Sequence, residues 1–96
     1  MDIRNIRHKG LRSLVEKNIS KGLPQQYVEK ITDIMAFLID IEDIDEVMDL
    51  QKYKPHLLGG DRPGTYSFHV TRNWRITFKY DVDENEIYDV DYEDYH

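Results

Sequence analysis

The chain has 96 residues and a formal net charge of −6 at pH 7, and this length suits one compact domain spanning residues 1–96. The absence of Cys excludes a disulfide framework, a thiolate nucleophile and a Cys-based metal site. No run approaches the roughly 18 apolar residues of a membrane span, and residues 1–10 lack the apolar region of a secretion signal. We therefore expect a cytoplasmic protein with no membrane partner.

Charge alternates along the chain in four segments. Residues 1–30 carry seven basic and three acidic side chains, whereas residues 31–50 carry seven acids and no base. Residues 51–80 carry six basic side chains against Asp61 alone, and residues 81–96 carry eight acids. An acidic protein can thus present a positive surface if its fold sets the two basic segments side by side.

The N-terminal half has the apolar spacing of helices. Asp2–Ile6 is a candidate strand, and a first helix is predicted from Leu11 onwards and closed by Lys21-Gly22. Pro24 suits the first turn of a second, amphipathic helix over residues 24–40. Its apolar positions recur at steps of three and four residues: Tyr27, Val28, Ile31, Ile34, Met35 and Leu38.

The apolar period changes from 3.6 to 2 after Pro55. Asp43 is a candidate cap for one further short turn before that change. Alternating runs then predict strands over residues 65–70, 75–80 and 86–92, with turns at Arg72-Asn73 and at residues 83–85. The predicted fold class is α+β, in which two N-terminal helices pack on one face of a twisted antiparallel sheet. The other face is left for a functional site.

The chain offers four histidines for chemistry. No His-x-x-x-His spacing exists, so we expect no metal site. His8 and His69 are interpreted as ordinary surface or strand-edge residues. His56 lies in a predicted loop that enters the sheet. His96 is either a terminal residue without a role or an acid–base group, since acids and tyrosines surround it.

Arg75 is the other candidate, because it alternates with Ile76 and Phe78 and so faces away from the core. It could pair with an acid of the neighbouring strand, Asp91 or Asp94. Alternatively, its planar guanidinium could bind two oxygens of a phosphate. The two roles are compatible.

Several segments together resemble the HigB toxins of the RelE/ParE toxin superfamily. The opening Arg7-His8-Lys9-Gly10-Leu11 and the later Gly22-Leu23-Pro24 are similar to the N-terminal half of that family. The remaining similarity lies in Tyr53-Lys54-Pro55-His56, Gly60-Asp61-Arg62-Pro63-Gly64, Arg72-Asn73-Trp74-Arg75-Ile76-Thr77-Phe78 and Asp91-Tyr92-Glu93-Asp94-Tyr95-His96. The resemblance therefore covers nearly the whole chain.

This resemblance implies a microbial-RNase-like fold and a toxin that cleaves mRNA in the ribosomal A site without a cofactor. It also implies a helix-turn-helix, HigA-like antitoxin as partner, and we expect the toxin alone to be monomeric. By position, the implied catalytic residues are His56, Arg75, Asp94, Tyr95 and His96. RNA contacts are expected from Lys54, Arg62, Arg72 and Asn73. Gly59 stands where the family often has a lysine, and Lys54 is a candidate substitute.

The implied chemistry needs a base, an acid and a positive charge on the phosphorane. His56 and His96 could divide proton transfer, with the assignment of base and acid left open, while Arg75 suits the charge. Asp94 would orient His96 or Arg75, and Tyr95 would stack on a base or hold the backbone. The alternatives are a non-catalytic protein of the same fold, which binds gyrase or only its antitoxin, and a ribosome-independent RNase.

Overall fold

Five strands form one sheet in the computed structural model, which describes residues 1–95, so that His96 lies outside the described residues. The strands are β1 (Asp2–Ile3), β2 (His56–Leu57), β3 (Thr65–His69), β4 (Trp74–Asp81) and β5 (Glu86–Asp94), in the spatial order β1-β5-β4-β3-β2. The helices are α1 (Lys9–Lys17) and α2 (Val28–Asp40), with short 3₁₀ turns at Gln25–Tyr27, Ile44–Asp49 and Gln51–Tyr53.

The predicted α+β class and the meander of β3, β4 and β5 are confirmed, since these three strands pair antiparallel in chain order. The candidate strand at Asp2–Ile6 is present as the shorter β1, which runs parallel to β5 at one edge of the sheet. The prediction missed β2, which pairs antiparallel with β3. This strand contains two residues, too few to show a period of two in the sequence.

Helix α1 ends earlier than predicted. Asn18 adopts a left-handed conformation with φ of 56°, and its N–H donates to the carbonyls of Ser13 and Leu14. The predicted closure at Lys21-Gly22 is therefore wrong. Gly22 instead packs against Gly10, where an added Cβ would lie 2.5 Å from the Gly22 carbonyl oxygen. This close approach needs glycine at position 10.

The second predicted helix is confirmed. Pro24 precedes the 3₁₀ turn at Gln25–Tyr27, which continues into α2. Asp43 caps the turn at Ile44–Asp49, and Glu46 completes a reciprocal capping box. The buried positions of α2 follow the predicted spacing and are Ile31, Ile34, Met35 and Leu38. Within residues 1–95, neither helix is long and apolar enough to cross a membrane.

Alternation gives the sheet two chemically different faces. The face toward the helices is apolar; Phe37 of α2, for example, packs edge-to-face on Phe68 at a centroid distance of 6.2 Å. The members of this face on the three long strands include Phe68, Ile76, Phe78, Val90 and Tyr92, all buried. The opposite face is polar and carries Thr65, Ser67, His69, Arg75, Thr77, Lys79, Asp91 and Glu93. We call this second surface the open face.

A β-bulge in β5 sets the register of the open face. Between the pairs Lys79–Tyr88 and Thr77–Asp91, β5 contains one residue more than β4. Asp89 takes up the extra residue with a left-handed φ of 51°. The Asn5 side chain holds it there, because Asn5 Nδ2 donates to Asp89 Oδ1 at 3.0 Å and Asn5 Oδ1 accepts from the Asp89 N–H at 2.9 Å.

Candidate active site

Arg75 lies at the centre of a polar cluster at one end of the open face. Its register partners are His69 on β3 and Glu93 on β5. The acid of the neighbouring strand that lies opposite Arg75 is thus Glu93, whereas Asp91 lies opposite Thr77 and Asp94 opposite Trp74. The Cζ atom of Arg75 lies 4.6 Å from the centroid of the Tyr95 ring, which is cation–π distance. The Arg75 guanidinium therefore contacts the Tyr95 ring, while its backbone pairs with β3 and β5.

Glu93 is bound from two sides. Both of its carboxylate oxygens accept from Arg62, at 2.7 and 2.9 Å, and the Thr77 hydroxyl also donates to it. The hydrogen bonds from Arg62 lower the pKa of Glu93, and those to Glu93 raise the pKa of Arg62. Glu93 is thus an anion at neutral pH whose charge is matched by Arg62.

Tyr95 is fixed by its backbone as well as by its ring. Its N–H donates to the carbonyl oxygen of Asn73 at 2.7 Å, which joins the end of β5 to the β3–β4 turn. The Arg62 Cζ atom lies 5.7 Å from the Tyr95 ring centroid, so two guanidinium groups flank this ring. Asn73 contributes to the site through its backbone oxygen.

His56 and His69 meet on adjacent strands. His56 is the register partner of Ser67, in an edge strand and not in the predicted loop. The His56 and His69 ring centroids are 5.6 Å apart. Burial lowers the pKa of His69, and the nearby charges of Arg75, His56 and Lys54 lower it further. His69, interpreted from the sequence as an ordinary surface or strand-edge residue, lies half-buried at the end of β3 beside this cluster.

His8 also differs from expectation. Its Nδ1 accepts from the Leu11 N–H at 3.1 Å and so caps α1. Its ring packs edge-to-face on Tyr92 at 5.5 Å. His8 therefore has a structural role on the helix side of the sheet.

Three buried polar atoms of the open face have no hydrogen-bond partner within the described part of the chain: Ser67 Oγ, His69 Nε2 and Arg75 Nε. Ser67 and His69 are two residues apart on β3, and Arg75 lies directly opposite His69. Native proteins satisfy most buried polar atoms, and a cluster of unpaired ones indicates a place where a ligand or water supplies the missing partners. Two donors and an imidazole nitrogen suit a phosphate or a hydroxyl group.

A basic groove of about 590 Å³ extends from this cluster toward α2. Lys54, His69 and Arg72 line it together with Lys30 and Lys52. Lys30 Nζ donates to the Val70 carbonyl at 2.9 Å, which fixes one wall. The groove thus adds Lys30 of the first basic segment to the cations of residues 51–80.

The remaining predicted residues lie at the chain end. Asp94 is in register with Trp74. Strand alternation therefore places Asp94 on the same face of the sheet as Tyr92 and on the opposite face from Glu93. His96 lies outside the described residues. The sequence interpretation missed Ser67, His69, Thr77 and Glu93. Two of these, Ser67 and His69, could have been found from the sequence. They alternate with Tyr66 and Phe68 and therefore lie on the same face as Arg75.

The fold and the cluster define a small α+β protein with a cationic, imidazole-bearing face that suits an anionic ligand. A family model described as "RelE-like toxin of type II toxin-antitoxin system HigB" matches residues 4–96. The chain belongs to this HigB-like toxin family, as its resemblance implied. It is 42% identical over 94 residues to a protein from Proteus vulgaris named endoribonuclease HigB, covering 98% of this chain and 99% of that one.

One solved structure supports the fold. A YoeB/ParE toxin from Agrobacterium tumefaciens has a TM-score of 0.56 at 16% identity, covering 100% of this chain and 99% of the other. A chain of a RelBE2 toxin–antitoxin complex from Mycobacterium tuberculosis has a TM-score of 0.47 at 16% identity, with 96% of each chain covered. Membership of the HigB-like family makes this chain the toxin of a type II pair, and its partner class is an antitoxin.

Proposed function

We propose that this toxin is an endoribonuclease that cleaves mRNA on the ribosome, without a metal or cofactor. The observation that carries the proposal is the cluster of unpaired buried atoms around Arg75. The imidazoles of His56 and His69 and the cationic side chains of Lys54 and Arg72 lie beside it. The name of the Proteus vulgaris relative supports the same activity. Arg75, His56 and His69 bring a guanidinium and two imidazoles together, so acid–base chemistry is the route that these side chains support.

The reaction is an in-line attack of the RNA 2′-oxygen on the adjacent phosphorus. A base takes the 2′-hydroxyl proton, the 2′-oxygen bonds to phosphorus, and the bond from phosphorus to the 5′-oxygen breaks as an acid protonates that oxygen. The products are a 2′,3′-cyclic phosphate and a 5′-hydroxyl. Arg75 stabilises the charge that develops on the phosphorane, and His56 and His96 serve proton transfer.

The other proposed site residues hold this arrangement. Tyr95 stacks against Arg75 and offers its ring edge to an RNA base. Asp94 precedes it and is proposed to orient His96. Arg62, which is committed to Glu93, acts as a positioning residue that keeps Glu93 and Tyr95 in place.

The RNA backbone is proposed to follow the basic groove. Lys54 and Arg72 line it, and the exposed turn residue Asn73 lies beside it. The protein as a whole carries a charge of −6, and an acidic surface captures free RNA weakly because phosphate neutralisation drives such binding. The ribosome therefore has to supply the substrate in a cleavable conformation. The toxin is therefore proposed to act in the cytoplasm, with a HigA-like helix-turn-helix antitoxin as its proposed inhibitor.

The test is single-turnover cleavage of one mRNA, free and on programmed ribosomes, with EDTA-treated protein and ribosomal magnesium restored. We expect cleavage on the ribosome alone. Arg75→Ala should lose most of it, while Lys79→Ala, on the same strand and face but at the other end, should keep it. Equal cutting of free RNA would refute ribosome dependence. No cutting by folded wild-type protein would favour a non-catalytic protein that only binds a partner.

A further inference from the structure

His69 is placed to do chemistry that the family resemblance did not assign to it. The charged and titratable groups around it are Lys54 and His56 on the β2 side and Arg75 on β4. On β5, beyond Arg75, lies Glu93, whose charge is already matched by Arg62. His69 therefore lies among cations, and the Glu93 carboxylate is bound by Arg62.

Its Nε2 atom is buried and has no hydrogen-bond partner in the described part of the chain. The residue as a whole is half-buried, and its neighbours Lys54 and His56 are exposed side chains that can move when RNA binds. Ser67 Oγ and Arg75 Nε, on either side of it, are the other two unpaired atoms. A ribose hydroxyl next to a phosphate would supply a donor to the imidazole and acceptors to the two donors.

We propose that His69 is the general base of the cleavage reaction, taking the 2′-hydroxyl proton on Nε2 while Arg75 holds the attacked phosphate. This deepens the proposed function and rests on it. The 2′-oxygen then forms the bond to phosphorus, and the 5′-oxygen leaves with a proton from a second imidazole. His56 and His96 are thereby left for the acid role, which needs the charged form.

The electrostatics support this division. A cationic, partly dry surrounding favours a neutral imidazole, and burial is the main reason that the pKa of His69 falls below its ordinary value. His69 is consequently unprotonated and ready to accept a proton at neutral pH. A phosphate arriving at Arg75 brings negative charge, which raises the proton affinity of the imidazole as the reaction begins.

The experiment measures single-turnover cleavage on programmed ribosomes for wild type, His69→Ala and His69→Gln as a function of pH. Loss of a general base typically costs on the order of 10²–10⁴ in rate, so both variants should fall by about that factor with unchanged thermal unfolding. The rate limb that rises with pH, present in wild type, should disappear from both. Free imidazole in the buffer should restore His69→Ala in proportion to its unprotonated fraction, and should leave Arg75→Ala inactive.

Several outcomes would overturn the proposal. Cleavage by His69→Gln at the wild-type rate would do so, and so would a loss of rate that leaves the rising limb in place and is not restored by imidazole. An NMR titration of wild type gives a test that needs no variant, since a His69 still protonated at pH 7 contradicts the base role. If the wild-type protein cuts nothing on programmed ribosomes, the proposed function itself is wrong. That result is obtained with wild type alone, so it is distinguishable from a failure of the His69 proposal.

Discussion

Arg62 binds both carboxylate oxygens of Glu93, with N–O distances of 2.7 and 2.9 Å. Glu93 lies directly opposite Arg75 in the ladder, so without Arg62 it would be the natural ion-pair partner of Arg75. Since Arg62 matches that charge, the Arg75 guanidinium keeps an unpaired Nε in the described structure. Arg62 and Glu93 thus act as positioning residues for the arginine proposed to bind phosphate.

The first prediction concerns Glu93→Gln. The paired carboxylate has a pKa lowered in the folded protein, so its stabilising effect is present above the unfolded pKa and is lost as pH falls through the folded pKa. We expect the variant to be less stable at pH 7 by about 1 kcal/mol, as for a well-formed but partly exposed pair. Chemical unfolding at pH 7 and in acid measures the free energy of unfolding of both proteins. The difference between the variant and wild type should disappear in acid. A gap that is constant from pH 7 to acid would contradict the ion-pair explanation.

The second prediction separates charge from geometry at Arg75. Arg75→Lys keeps the positive charge but removes the planar fork that binds two phosphate oxygens and stacks on Tyr95. We expect most ribosomal cleavage to be lost, while the thermal midpoint stays near the wild-type value. Lys79→Arg serves as the matched control on the same face and should cleave normally. Activity close to wild type in Arg75→Lys would mean that a point charge is enough.

The sequence predicts much of the fold because its signals are long. The steps of three and four residues in α2 and the alternation in β3, β4 and β5 each extend over several side chains. The end of α1 at Asn18 was missed because it depends on one left-handed residue. The short strand β2 was missed because pairing with β3, and not local pattern, makes it a strand.

The site was predicted in part for a related reason. Arg75 faces away from Ile76 and Phe78, which alternation alone reveals. Its partner across the strand depends on the bulge at Asp89: without that extra residue the hairpin register would place Tyr92 opposite Arg75 and turn Glu93 toward the core. The local sequence of β5 does not predict this bulge, because Asn5, near the other end of the chain, holds it in place. The proximity of the His56 and His69 rings likewise depends on the unpredicted strand β2.

The third prediction concerns the contact between Gly10 and Gly22. A Cβ at position 10 would lie 2.5 Å from the Gly22 carbonyl oxygen, and a backbone atom cannot move aside cheaply. We expect Gly10→Ala to be destabilised by about 1–2 kcal/mol, since overpacking outweighs the better helix propensity of Ala. Gly59→Ala is the matched control, because no atom lies within 4 Å of its added Cβ. Denaturant unfolding compares the two, and equal stability of both variants would contradict the packing argument.

The last prediction concerns the whole cell. Induced expression of the toxin alone should arrest growth, because cleavage of ribosome-bound message stops translation, and co-expression of its antitoxin should relieve the arrest. Cells that express Arg75→Ala or His96→Ala at equal protein levels should grow normally, since each substitution removes a group proposed to act on the scissile phosphodiester. Lys79→Ala should remain toxic and serves as the control for expression. Growth, protein level by immunoblot and the 5′ ends of cellular mRNA are measured together.

Normal growth with abundant wild-type toxin and intact mRNA would reject the active-toxin proposal and favour a protein that only binds its antitoxin. Full toxicity of His96→Ala would remove the terminal histidine from the proton-transfer groups and leave His56 as the acid.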